Sequence, residues 1–322
     1  MRNQCAIGID LGTDSIKIVA RECIPGEANP RGLGASASSP LGMRKGIALE
    51  PEELAKALKT TFDALEKSTG IKNKEASVAF GGTGLGFQKT KGLVAVSRAD
   101  GEITRDDVKR AQKASEANLS RLQNREILHR IPLLYKLDGE METRDPVSLT
   151  AGKLEAEVLF ITAFLQNIKN VLKALEEAGV EAEELIANPL AASRATLTKR
   201  EKEIGAMVLD LGAATTSIIL FEEGLPYSLE TFPIGSQHIT QDIAVGFKID
   251  LEEAEKLKTN YGAVGAEAEN FSKREDLVYG NYSKKKLAEI IEARLSDIFE
   301  LIEKHLKKVD RAGLLPAGIF II

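Results

Sequence analysis

The chain has 322 residues, 43% hydrophobic and 28% charged, an ordinary globular composition with room for two hydrophobic cores. With no Trp, 5% aromatics, a net charge of −5 and a pI near 5.6, it is a poor nucleic-acid binder, because phosphate backbones reward basic surfaces and single strands reward stacking rings. No run of about 20 apolar residues and no leader segment is found, and Cys5 and Cys23 read as buried thiols of a reducing compartment, so a cytoplasmic protein is expected.

In chain order, 6–20 reads as a β-hairpin turned by Gly12-Thr13-Asp14-Ser15. The Gly-, Pro- and Ser-rich stretch 26–46 fits loops or an edge strand. Pro51 opens a helix with Leu54, Leu58, Phe62 and Leu65 on one face, ending near Gly70, and 76–80 is a short buried strand. Over 81–162 the texture changes: a strand at 93–96, a helix capped by Thr104, and strands at 127–137 and 154–161 around a polar turn, 138–146. This is a compact α+β insertion. Next come an amphipathic helix over 166–177 stopped by Gly179, a linker at 198–202, and a second hairpin at 206–221. A helix over 251–261 stops at Gly262, and a long one over 283–308 buries one apolar face. The wholly apolar 317–322 reads as a buried central strand, which suggests that further sequence belongs after it.

The chemistry lies in an internal repeat. Ile7-Gly8-Ile9-Asp10-Leu11-Gly12 matches Met207-Val208-Leu209-Asp210-Leu211-Gly212, and each copy leads through small and hydroxylated residues into another apolar strand. Either turn alone is an ordinary tight hairpin; the matched pair, with flanking elements in the same order, indicates duplicated domains. Gly at such a turn lets backbone N–H groups approach phosphate, Thr13, Ser15, Thr215 and Thr216 add hydroxyls, and Lys17 neutralises charge. Asp10 and Asp210 at the strand ends suit Mg²⁺, which takes oxygen ligands and keeps part of its hydration shell. Two such hairpins would clasp a polyphosphate from opposite sides.

Other signals are weaker. The run Gly81-Gly82-Thr83-Gly84-Leu85-Gly86 leads into strand-like sequence rather than a helix, so it reads as a flexible junction and not a dinucleotide loop. No P-loop, nucleophile elbow or histidine metal spacing occurs; His129, His238 and His305 are scattered.

The paired turns resemble the phosphate motifs of the actin/Hsp70/sugar-kinase superfamily. Ile127-Leu128-His129-Arg130-Ile131-Pro132, Tyr135-Lys136-Leu137-Asp138-Gly139 and Gly152 resemble the bacterial FtsA cell-division family, as do Phe232-Pro233-Ile234-Gly235, His238-Ile239-Thr240, Glu252 to Lys258, and Leu315-Pro316-Ala317-Gly318. The likeness spans essentially the whole chain. It implies an α/β, actin-like ATPase fold of duplicated ribonuclease H-like domains with an FtsA-type insertion. Subdomain 1A would cover 1–84 and 163–197, 1C 85–162, 2A 198–248 and 309–322, and 2B 249–308.

The resemblance also implies ATP and Mg²⁺ binding and actin-like self-association. The C-terminal tail of the tubulin-like protein FtsZ would bind 2B, and later division proteins would meet 1C. Asp10, Gly12, Thr13, Ser15 and Lys17, with Asp14 in the turn, match the first phosphate motif. Gly212, Thr215 and Thr216, with Ala213 and Ala214 in the turn, match the second beside Asp210. Gly235, Glu255 and Lys258 match positions near the ribose and adenine. Where the family often has Gly-Gly, Ala213-Ala214 would cost roughly 1–2 kcal/mol at any left-handed position. Asn188 stands where several relatives place Glu or Gln to orient water, and it cannot act as a base, so Asn188 and Asp210 on the catalytic side imply weak hydrolysis at most. Relatives continue past Ile322 into an adenine loop and an amphipathic lipid-binding helix. Location at the cytoplasmic face of the division-site membrane is implied only for a form carrying that helix. A PilM-type pilus-assembly scaffold and a sugar-kinase-like phosphotransferase are the alternatives.

Overall fold

The computed structural model describes residues 4–23, 32–38, 42–120, 122–265, 277–278 and 282–322. The chain opens with the hairpin β1 (Gln4–Leu11) and β2 (Ile16–Cys23), followed by the edge strand β3 (Gly32–Ser38) and a short ribbon, β4 (Met43–Arg44) and β5 (Ile47–Ala48). Alternation sorts β1 into a buried row, Ile7, Ile9 and Leu11, against an exposed Gly8. In this hairpin Cys5 faces Glu22 and Cys23 faces Gln4, so the cysteines are not cross-strand partners; Cys5 is half-buried. Residues 26–31 and 39–41 of the expected loop stretch lie outside the described residues.

Helix α1 (Pro51–Thr69) starts on Pro51, whose missing N–H is harmless in a first turn, and ends where Gly70 turns left-handed at φ 74°. It buries Leu54, Leu58, Phe62 and Leu65; each such side chain contributes about 1.5–3 kcal/mol. Strand β6 (Glu75–Phe80) then enters parallel to β1.

The insertion follows: β7 (Gly86–Ala95), α2 (Arg105–Ala117), β8 (Arg125–Leu137), β9 (Met141–Thr143) and β10 (Lys153–Phe164), in sheet order β7-β10-β8-β9. Helix α2 packs on the face carrying Leu154, Ala156, Val158 and Phe160. The chain returns through α3 (Leu165–Ala178), closed by left-handed Gly179, to β11 (Glu181–Ala187), which lies parallel to β6. The first sheet is therefore β11-β6-β1-β2-β3.

Two helices connect the halves, α4 (Asn188–Thr196) and α5 (Lys199–Ile204). The expected linker at 198–202 is in fact mostly α5. Thr198 and Glu201 form a reciprocal capping box there, which stabilises even so short a helix. The second half repeats the first, with β12 (Ala206–Leu211), β13 (Thr216–Glu222) and β14 (Leu225–Phe232) as an antiparallel meander. Then come α6 (Ser236–Phe247), α7 (Leu251–Tyr261), the ribbon β15 (Leu277–Val278) and β16 (Tyr282–Ser283), α8 (Lys284–Lys308) and β17 (Gly318–Ile321).

Strand β17 pairs parallel with β12, as β6 does with β1. Among the described residues it is an edge strand with β12 as its one neighbour, and Ile319 and Ile321 are 50% and 60% exposed, where a buried central strand was expected. Helix α8 covers one face of this sheet through Ile298, Ile302 and Leu306. The other face shares a core with Leu159 and Ile161 of the insertion and with Leu190 and Leu197 at α4. The insertion and α4 thus share that face. Arg144 reinforces the contact by donating to the Glu223 carbonyl at 2.8 Å.

Candidate functional site

Both Asp-Leu-Gly turns sit at the C-terminal ends of their first strands, and the parallel architecture brings them to one cleft between the halves. Asp10 pairs with Lys17 across one hairpin, and Asp210 with Ser217 across the other. The narrow part of the cleft, about 100 Å³, is walled by Asp10, Gly12, Thr13, Asp14, Ser15 and Lys17 on one side. Asp210, Gly212, Ala213 and Thr215 form the other wall, with Asn188 beside them. It opens into a larger cavity of about 630 Å³ reaching Glu255 and Lys258.

The turn glycines are required by close approach. Neither Gly12 nor Gly212 has a positive φ, but a Cβ would lie 2.6 Å from the Ser15 carbonyl at the first and 2.9 Å from the Thr215 carbonyl at the second. Ala213 and Ala214 also keep negative φ, so the left-handed penalty expected from the sequence does not arise. Thr13 accepts a hydrogen bond from the Gly46 N–H at 2.9 Å, which leaves its own O–H to donate.

The electrostatics centre on two carboxylates. Burial, and next the nearby Asp10 charge, push Asp210 up to about 6, with Lys17 opposing them. Burial raises Asp10 too, against Lys17 at 3.5 Å from its Oδ2. Asp10 Oδ1 is buried without a hydrogen-bond partner. Two mutually repelling carboxylates, one with an orphaned oxygen, are a donor set that a hard divalent cation fits: it would neutralise the repulsion and take the free lone pairs. Groups of three or more His, Cys, Asp or Glu side chains able to hold a metal are absent among the described residues, so water or phosphate oxygens would complete a magnesium shell.

On the far wall Lys258 donates to Thr240 Oγ1 at 2.9 Å and pairs with Glu255 at 2.8 Å. Burial raises the Glu255 carboxyl, but hydrogen bonds from Lys258 and Thr240 outweigh it and leave the group below its ordinary value. Lys258 and Glu255 therefore stand as a charged pair fixed toward the large cavity.

Three expected residues do not reach the cleft. Thr216 is fully buried and donates to the Ile234 carbonyl at 2.8 Å. Ala214 is buried, and Gly235 is the packing point of α6, where a Cβ would lie 2.6 Å from the Ala213 carbonyl. Conversely, Gly46, Gly81 and Gly82 line the narrow part. Gly82 (φ 92°) packs directly on the Lys45–Gly46 backbone, so the glycine run is a tight turn at the cleft and not a loose junction. The Gly81-Gly82 pair ending β6 was the available signal; its contact with Gly46 is long-range and silent in sequence.

A model of the SHS2 domain inserted in FtsA matches residues 82–162, the span of the β7–β10 insertion, and a model of cell division protein FtsA matches residues 207–313. Cell division protein FtsA of Bacillus subtilis (strain 168) is 31% identical, covering 99% of this chain and 73% of its own length. The chain belongs to the FtsA family. Its Borreliella burgdorferi relative is 31% identical, with 100% of this chain and 79% of that protein covered. Among solved structures, the FtsA-family chain resembles a PilM-PilN type IV pilus biogenesis complex (TM-score 0.66, 17% identity, 98% and 88% covered). It also resembles MreB5 of Spiroplasma citri bound to ADP (TM-score 0.54, 12% identity, 99% and 84% covered). At these identities the likeness is one of fold: the chain has the actin-like ATPase fold.

Proposed function

We propose that the cleft binds a magnesium nucleotide, ATP or ADP, and that the chain is a nucleotide-dependent scaffold of cell division. The observation carrying this reading is the facing pair of Asp-Leu-Gly turns, with Asp10 Oδ1 orphaned and Asp210 raised by burial and then by its neighbour Asp10. Asp10 and Asp210 would stand on the metal side. Backbone N–H groups of both turns, with Thr13, Ser15, Thr215 and Lys17, would grip phosphates, and Glu255 and Lys258 would meet the nucleoside end. Asn188 can position water but cannot take its proton, so hydrolysis is slow or absent.

Membership in the FtsA family supports the wider role: linking FtsZ filaments to the membrane from the cytoplasmic side, self-association, and recruitment of later division proteins. In this reading 249–308 binds the FtsZ tail and 85–162 meets later partners, with 1–84 plus 163–197 and 198–248 plus 309–322 as the two cores. Among the described residues no helix is long and apolar enough to cross a membrane, and membrane contact is assigned to a lipid-binding helix of the kind relatives carry beyond this span.

Calorimetry tests the site. Asp210→Ala is expected to weaken Mg-ATP binding by about tenfold or more, as for loss of a charged partner. Unchanged affinity would sink the metal assignment. A pull-down with the FtsZ tail tests the role and separates it from a pilus-type scaffold of the same fold, which should not bind it.

A further inference from the structure

The family-like motif at 127–139, with Gly152, separates into two parts. Asp138 and Gly139 both take positive φ, 48° and 83°, to turn β8 into β9. The Asp138 carboxylate accepts from the N–H groups of Gly152 and Lys153 at 3.0 and 2.7 Å. That half is a turn and its clasp. The other half, His129 to Pro132, takes no part in it.

His129 points out of the insertion altogether. Its Nε2 accepts a hydrogen bond from the Ala187 N–H at 3.0 Å. Ala187 ends β11, the outermost strand of the first sheet, so the imidazole stands where a further strand would pair. Burial, and next Arg194, lower the ring to about 4, so it is a neutral acceptor at physiological pH. The residue after Ala187 is Asn188, which lines the narrow part of the cleft and packs close to Gly81. Around His129, Leu128 packs on the first-half core, while Ile131 and Leu133 join the core shared with the second half. This stretch of β8 therefore touches both halves and, through one N–H, the backbone that carries a cleft side chain.

We propose that His129 is a positioning residue that couples the insertion to the nucleotide cleft by fixing the Ala187 backbone and, through it, Asn188. The inference rests on the nucleotide reading above for its ligand. By linkage, whatever engages the insertion so as to shift β8 changes nucleotide affinity, and nucleotide changes affinity at the insertion by the same factor.

The test compares the full chain with His129→Ala, His129→Gln and a control, Phe160→Leu, which weakens the insertion core without touching Ala187. Gln places an acceptor oxygen near the former Nε2. Two quantities are read: dissociation of a fluorescent ADP analogue, and amide hydrogen exchange over 186–190 without nucleotide. His129→Ala should speed dissociation about three- to tenfold, the effect of one hydrogen bond, and raise exchange at 186–190. His129→Gln should restore both to within about twofold. Phe160→Leu should lower Tm and leave both unchanged. The proposal is overturned if His129→Ala leaves exchange at 186–190 as in wild type, or if Phe160→Leu reproduces its effects. Should wild type bind no nucleotide, that failure belongs to the nucleotide reading, and the exchange result with its Gln rescue still decides whether His129 positions Asn188.

Discussion

Asp210 and His129 titrate in opposite senses, and the signs can be separated. Burial and then Asp10 raise Asp210 from 3.8 to about 6, so the folded protein holds this proton more tightly than the unfolded chain does. Its contribution to stability is full below pH 3.8 and is lost as pH rises to about 6. His129, lowered from 6.5 to about 4, acts the other way: its contribution is full above pH 6.5 and is lost as pH falls toward 4. In EDTA without nucleotide, Asp210→Asn should therefore gain stability relative to wild type at pH 7 more than at pH 5, by denaturant titration. An equal difference at both pH values would show that Asp210 does not titrate in this window.

Backbone approach gives a second contrast at this scale. Gly82→Ala forces a left-handed alanine with its Cβ 2.5 Å from the Lys45 carbonyl and should lose more than about 2 kcal/mol. Gly8→Ala, with nothing within 4 Å of the new Cβ and no positive φ, should be neutral or slightly stabilising. Comparable losses at both would remove the case for a tight turn at the cleft. Both Asp-Leu-Gly turns could be read from the sequence because the repeat sets them side by side. The conformation of Ala213-Ala214 could not, since only the turn geometry shows that neither is left-handed.

Among elements, α2 shows how far local sequence reaches. Thr104 accepts from the Asp107 N–H at 3.2 Å, while the Asp107 carboxylate accepts from the Thr104 N–H at 2.9 Å and the Ser97 N–H at 3.0 Å. Thr104→Ala should cost about 1 kcal/mol as a lost cap. Asp107→Ala should cost about 2–3 kcal/mol, because it strands several donors beside a fully buried position. Thermal melts of the two variants in the reverse order would contradict this accounting. The Thr104 cap, the Pro51 start and the Gly70 stop were legible because each is a local rule. Strand β11 was not: Glu181-Ala182-Glu183-Glu184-Leu185 is rich in helix formers and lacks alternation. It is a strand because β6 offers it a parallel edge, so pairing overrides propensity. The same context hid β14, whereas short α5 carries a local signal in the capping box of Thr198 and Glu201.

For the whole molecule, the duplication sets the two sheets side by side and shows where they differ. In the first half β6 lies between β1 and β11; in the second, its counterpart β17 has β12 on one side and no described strand on the other. Ile322 trades hydrogen bonds with β12, through its N–H to Leu209 and its carbonyl from Leu211, at 2.9 and 3.0 Å. Strand alternation then turns the backbone groups of Ile321 toward the open edge, beside a side chain that is 60% exposed. Such an edge is a template for a further parallel strand, the position that β11 fills beside β6 in the first half.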